Sequence, residues 1–138
     1  MSARTLFKLV VWLGVLANWT FAAWVLFFDP HQLLEALNLG PQDRVLWLYN
    51  YSVLLAVLSL FYIPAARDPF RYRANAWFLV VGRLVPASTF LLGVLLGYMP
   101  RGFLLLFLGD ATIGVIQLIL LLAIFRRGPA AGDYGYAA

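Results

Sequence analysis

Four long apolar runs, residues 9–28, 45–63, 76–98 and 102–125, divide the chain, and only two charged residues, Arg83 and Asp110, fall inside them. A helix rises ~1.5 Å per residue, so about 20 apolar residues cross a hydrocarbon layer of ~30 Å. The runs therefore predict four transmembrane helices. The first is long for the apolar part of a signal peptide and is read as a retained helix. Between the first and second runs lies a polar loop, residues 29–44, in which Asp29 is placed to cap a helix beginning with Pro30. Leu33, Leu34 and Leu37 share one face of that helix, and Gly40-Pro41 is expected to stop it. Residues 65–75 form a basic-aromatic connection suited to anchoring at lipid phosphates. The expected fold is all-α: an integral membrane four-helix bundle with a short interfacial helix between helices 1 and 2. Residues 1–128 form its single domain, and residues 129–138 form a Gly/Ala-rich, flexible tail.

Composition strengthens this picture. The 138 residues are 64% hydrophobic and 12% charged, with a mean hydropathy of +0.87. Small soluble folds bury only roughly two thirds of their chain surface, so lipid has to serve as solvent here. There are no cysteines, which excludes disulfides and thiolate metal sites. The pI of about 9.8 and net charge of +4 would suit nucleic acid, but the basic residues flank apolar runs, which is the pattern of membrane topology. Arg4, Lys8, Arg67, Arg71, Arg73, Arg126 and Arg127 fall on one side, against Arg44 and Arg101 on the other. That asymmetry places both termini in the cytoplasm. The expected location is the bacterial inner membrane, with lipids and other integral subunits as partners and no nucleic acid.

Polar and small residues inside the runs give the helices individual character. Gly14, Ala17, Asn18, Ala22 and Ala23 permit close approach in the first, and Asn18 is read as an interhelical hydrogen-bonding residue. Trp47, Tyr49 and Tyr51 open the second, and Phe61, Tyr62 and Pro64 close it, in the manner of interfacial belts. The third carries Pro86, with Ser88 and Thr89 placed to re-satisfy the carbonyl that proline frees, and a GxxxG at Gly93 and Gly97. In the fourth, Asp110, Gly114 and Gln117 share a face.

A charge at membrane depth costs at least ~2.5 kcal/mol on insertion scales and should face protein and a partner. By helical rise, Asn18 and Asp110 lie roughly 18 Å from the cytoplasmic face and Arg83 about 12 Å. If the last two helices pair antiparallel, Arg83 is level with Gln117 and Asp110 lies roughly 10 Å further out, within reach of an arginine side chain. An Arg83–Asp110 interaction is expected, with Asn18 and Gln117 satisfying the remaining groups. It reads either as a register-fixing ion pair or as a polar site for a quinone headgroup, a proton or a small anion.

Other chemistry is sparse. His31 is the only histidine and sits in a loop, so neither bis-histidine haem nor a metal cluster is expected. No catalytic residue is singled out. No intrinsic cofactor is expected either, although a quinone, pigment or lipid could bind. Asp29-Pro30, Leu33-Leu34, Leu39-Gly40-Pro41 and Gly109-Asp110 with Gly114 and Gln117 together resemble the DoxX-like group of small bacterial four-helix membrane proteins. That resemblance implies association with membrane redox systems. Small multidrug transporters share the size, but their first-helix glutamate has no counterpart between residues 9 and 28. The expected function is a non-catalytic integral subunit that anchors or stabilises a larger membrane complex of electron transfer or photosynthesis. The alternatives are a small oligomeric transporter or channel, and a quinone- or pigment-binding subunit.

Overall fold

The computed structural model describes residues 2–40 and 45–128, which form six helices and no strand. Helix α1, Ala3–Phe27, starts six residues before the apolar run, because Ser2 caps it by accepting from the Thr5 N–H at 3.1 Å. Hydropathy finds the apolar stretch. Cap chemistry decides where the helix begins. Helix α2, Pro30–Ala36, is capped by Asp29, which accepts from the His31 N–H at 2.9 Å. It ends earlier than Gly40-Pro41 would have it. Asn38 takes the left-handed conformation (φ 52°), while Leu39 N–H bonds Leu34 O and Asn38 N–H bonds Glu35 O. This is a Schellman ending with asparagine in the position usually held by glycine.

The second span, Leu46–Arg67, is 22 residues long and is interrupted at Phe61, giving α3 (Leu46–Leu60) and α4 (Tyr62–Arg67). Pro64 explains the break, since it has no N–H for the Leu60 carbonyl and its ring crowds that group. Asn75 Nδ2 donates to Phe61 O at 2.9 Å and ties the break to the next helix. The basic connection shrinks to residues 68–72. There Asp68 Oδ1 accepts from the N–H groups of Phe70 and Arg71, at 2.9 and 3.1 Å. Helix α5, Arg73–Leu95, keeps Pro86 in its interior, and α6 is Phe103–Arg127. Ser88 and Thr89 do not bridge to the residue four before Pro86. They donate to Leu84 O and Val85 O, their own carbonyls one turn back. The expected GxxxG also serves another purpose. Gly97 (φ 77°) ends α5, with Tyr98 N–H on Gly93 O and Gly97 N–H on Val94 O, while Gly93 leaves room for Met99.

Four of these segments are long and apolar enough to cross a membrane, and the protein is an all-α, multi-pass bundle. Large apolar side chains such as Phe27, Leu46 and Leu95 lie exposed on the bundle surface, as they can where lipid is the solvent. The spans run up and down around a ring: α1 packs on α3, α4 and α6, the longest contact is α5 on α6, and α4 rests on α5. No comparable contact joins α3 to α5 or α6. The ring is therefore closed by α4 at the cation-rich end and loosens beyond the break.

The two ends have different interiors. At the cation-rich end Phe7, Val11, Tyr62, Ala65, Ala76, Leu79, Leu121 and Ile124 form one buried cluster. Arg4 and Arg73 lie over the rings of Phe70 and Phe125, each 5.0 Å from the centroid. The opposite end buries Val25, Leu34, Leu39, Leu48 and Phe103. Gly102 admits the end of α2 there, because a Cβ would overlap the carbonyl oxygens of Leu37 and Asn38. The expected interfacial aromatics divide accordingly: Tyr62 is 3% exposed and packs inside, and Tyr51 lines the interior, whereas Trp47 and Phe61 are exposed. Residues 129–138, expected as a tail, and Pro41 and Arg44 lie outside the described residues.

Candidate functional site

Arg83 projects from the middle of α5 into the bundle, where its side chain is only 5% exposed. Space for it comes from two glycines. A Cβ on Gly14 of α1 would stand 2.5 Å from Arg83 Nη2, and one on Gly114 of α6 would stand 3.3 Å from Arg83 Cβ. Arg83 Nη1 donates to Asp110 Oδ1 at 2.5 Å, and Nη2 reaches Asn18 Oδ1 at 3.5 Å. Asn18 Nδ2 in turn donates to Ser59 Oγ at 2.9 Å, and Ser59 Oγ donates to Leu55 O at 2.7 Å. One polar layer thus joins α1, α3, α5 and α6.

Gln117 is the exception. It is 1% exposed, yet neither its Nε2 nor its Oε1 finds a partner among the described residues, and Arg83 Nε is also unpartnered. The expectation that Gln117 completes the arginine's hydrogen bonds is therefore corrected. Gln117 lies seven residues below Asp110, about 10 Å along α6, and the guanidinium commits its terminal nitrogens outward to Asp110 and Asn18. Ser59 joins the layer in its place, not at the arginine but as the acceptor for Asn18 Nδ2. Ser59 shares a helical face with Ser52, seven residues earlier, but nothing in the sequence says which of the two meets Asn18. Gly14 was more legible, because it stands one turn from Asn18 on the same face of α1.

The two partners of the ion pair differ in access. Asp110 is 27% exposed, against 5% for Arg83, and it faces a cleft of about 200 Å³. The cleft is walled by Phe21, Tyr51, Leu55, Phe90, Leu106 and Ile113, with Asn18 and Arg83 at its floor. Its exposed lining residues, Ala17, Leu105 and Gly109, lie on α1 and α6, so it opens sideways between those helices. A second cleft of about 340 Å³ shares Phe21, Tyr51, Phe90 and Leu106 with the first and reaches Trp47, Tyr98 and Pro100 at the end poor in cations. Phe21 and Tyr51 meet edge to face at 6.2 Å, and Phe90 lies 5.5 Å from Phe103.

This arrangement can orient a small molecule against a neutral acid–base pair and hold a flat ring between aromatic walls. His31 is exposed in α2, far from the layer in sequence and on a different element. Among the described residues no group of three His, Cys, Asp or Glu side chains is placed to hold a metal ion. Comparison of the chain with protein-family models, curated proteins and solved structures gives no match.

Proposed function

We propose that the chain is a non-catalytic integral membrane subunit that stabilises a larger membrane assembly of electron transfer or light harvesting, and that it holds a lipid-soluble molecule there. The observation that carries this reading is the half-open ion pair. A pair that only fixed helix register gains nothing from a cleft at one partner, since water admitted there would screen it. Here both partners line a cleft, the acid with 27% of its side chain exposed and the base with 5%. The same geometry supports a quinone- or pigment-binding role, because the walls are aromatic. The packed cluster beneath the layer favours holding over passage, so a transporter or channel is the lesser reading.

Membership of the DoxX-like group belongs to the same proposal, and its support is the set of motifs around Asp29-Pro30 and Gly109-Asp110. So does placement in a bacterial inner membrane with both termini cytoplasmic, supported by the cation count. Reporter fusions at Leu39 and at the C-terminus test that orientation, and a cytoplasmic Leu39 would overturn it.

Purification from the native membrane in mild detergent, with mass spectrometry of the accompanying proteins and organic extract, tests the functional reading. Integral membrane partners and a ring-bearing, lipid-soluble compound are expected. A chain that purifies alone and empty, or that by itself shows redox turnover or solute flux, would overturn it.

A further inference from the structure

Resting on the cleft reading above, we propose that the cleft selects a neutral, lipid-soluble ring compound bearing a ring hydroxyl, and that Asp110 Oδ2 is the acceptor for that hydroxyl. Access comes first. The opening lies between α1 and α6 at Ala17, Leu105 and Gly109, well inside the spans, so the occupant arrives from the lipid. Size and shape come next. An apolar cavity of ~150 Å³ accommodates benzene, so about 200 Å³ holds one substituted ring, with any tail left in the lipid or in the adjoining cleft. Phe21, Tyr51 and Phe90 offer ring faces and edges to it.

The floor decides the chemistry. Arg83 Nη1 occupies Asp110 Oδ1, and among the described residues nothing donates to Oδ2. An ionised carboxylate only accepts hydrogen bonds, so the polar atom offered to the cleft calls for a donor. A cationic donor would add a net charge to a pair that is already neutral, at membrane depth where charge is costly. A hydroxyl supplies the donor without that cost. On a ring it does so beside the aromatic walls. A ring carbonyl or ether has no proton to give and would leave Oδ2 unmatched, which penalises it through the same group that rewards the hydroxyl.

Phenols and quinols share this chemistry, and competition binding separates them. The full chain in nanodiscs is saturated with a tritiated 4-alkylphenol. The competitors are an alkylated 1,4-benzoquinol kept reduced, the methyl ethers of both compounds, and the corresponding benzoquinone. Each hydroxyl probe is expected to compete about tenfold better than its own ether, and the quinol about tenfold better than the quinone. Whichever hydroxyl probe binds tighter names the source. Gly109→Leu should abolish binding with the fold intact, because a Cβ at Gly109 meets nothing within 4 Å. Asp110→Asn should bring hydroxyl and ether probes within about twofold of each other. If that variant does not fold, the Arg83→Leu/Asp110→Leu protein, which removes the charges together, should show the same levelling. Equal competition by hydroxyl and ether in the unaltered protein, blocked by Gly109→Leu, would overturn the hydroxyl proposal and leave the cleft reading standing. Absence of any saturable binding that Gly109→Leu removes would overturn both.

Discussion

The two halves of this bundle solve the same packing problem differently. At the cation-rich end, α1, α4, α5 and α6 all meet, and small residues (Ala65, Ala66, Ala76) let larger ones such as Phe7, Leu79 and Leu121 fill the centre. At the other end α3 stands off from α5 and α6, the buried cluster is smaller, and two clefts occupy the remaining space. Lipid offers helices no hydrophobic reason to associate, so close packing and interhelical hydrogen bonds must hold them together. The closed half uses packing. The open half lacks much of it, and the Arg83 layer at the boundary joins all four spans by hydrogen bonds instead.

The strongest way to break that contrast is at the boundary. Arg83→Leu or Asp110→Leu alone leaves one uncompensated charge and should lower stability by about 3–5 kcal/mol, whereas the double substitution should recover most of the loss. Thermal denaturation of the purified variants in one detergent reads this directly. Near-additive losses would mean the two residues are not coupled.

Gly102→Ala comes next in size. Its new methyl group meets backbone carbonyls of Leu37 and Asn38, which cannot swing aside, so α2 must separate from the start of α6. A loss of about 2–3 kcal/mol is expected, with faster proteolysis around residues 29–40. Unchanged proteolysis there would show that α2 is not pinned through this contact.

The comparison itself is sharpened by Leu121→Ala against Phe90→Ala. Leu121 is 0% exposed in the closed half, and its truncation leaves a cavity costing about 1–3 kcal/mol, since transfer to lipid contributes little and the cavity remains. Phe90 borders empty space on one side and packs on Phe103 on the other, so its truncation should cost less than that of Leu121 while enlarging the cleft. Equal losses would remove the distinction between the halves.

The smallest effect is expected for Gly14→Ala. The added methyl would crowd Arg83 Nη2, a side-chain end that can shift only by loosening its bonds to Asp110 and Asn18, at about 1 kcal/mol. In the Arg83→Leu/Asp110→Leu background the same substitution should be neutral. A persistent cost there would place Gly14's role elsewhere.

Residue pattern by itself determined the number of spans, because crossing a membrane depends on the summed apolarity of about 20 consecutive residues, a local quantity. It also marked Asp29 as a cap and Arg83 and Asp110 as groups needing partners, since caps act over three residues and a charge in hydrocarbon is costly whatever surrounds it. Span ends were less legible. Ser2 sets a helix boundary by a side-chain bond to a backbone N–H, and Asn38 and Gly97 do so by left-handed turns with their own backbone bonds, none of which hydropathy registers. What only the tertiary structure decided is how the polar layer is distributed and where the bundle fails to close. Gln117 shares a helical face with Asp110 yet is left unpartnered, and Ser59 rather than Ser52, seven residues earlier on the same face, receives the hydrogen bond from Asn18. Periodicity places a residue on a face, but which neighbour meets that face depends on the depth and separation of other helices. The cleft above Asp110 is the extreme case, because it lies where α3, packed on α1, fails to meet α5 and α6, and no single residue encodes a gap.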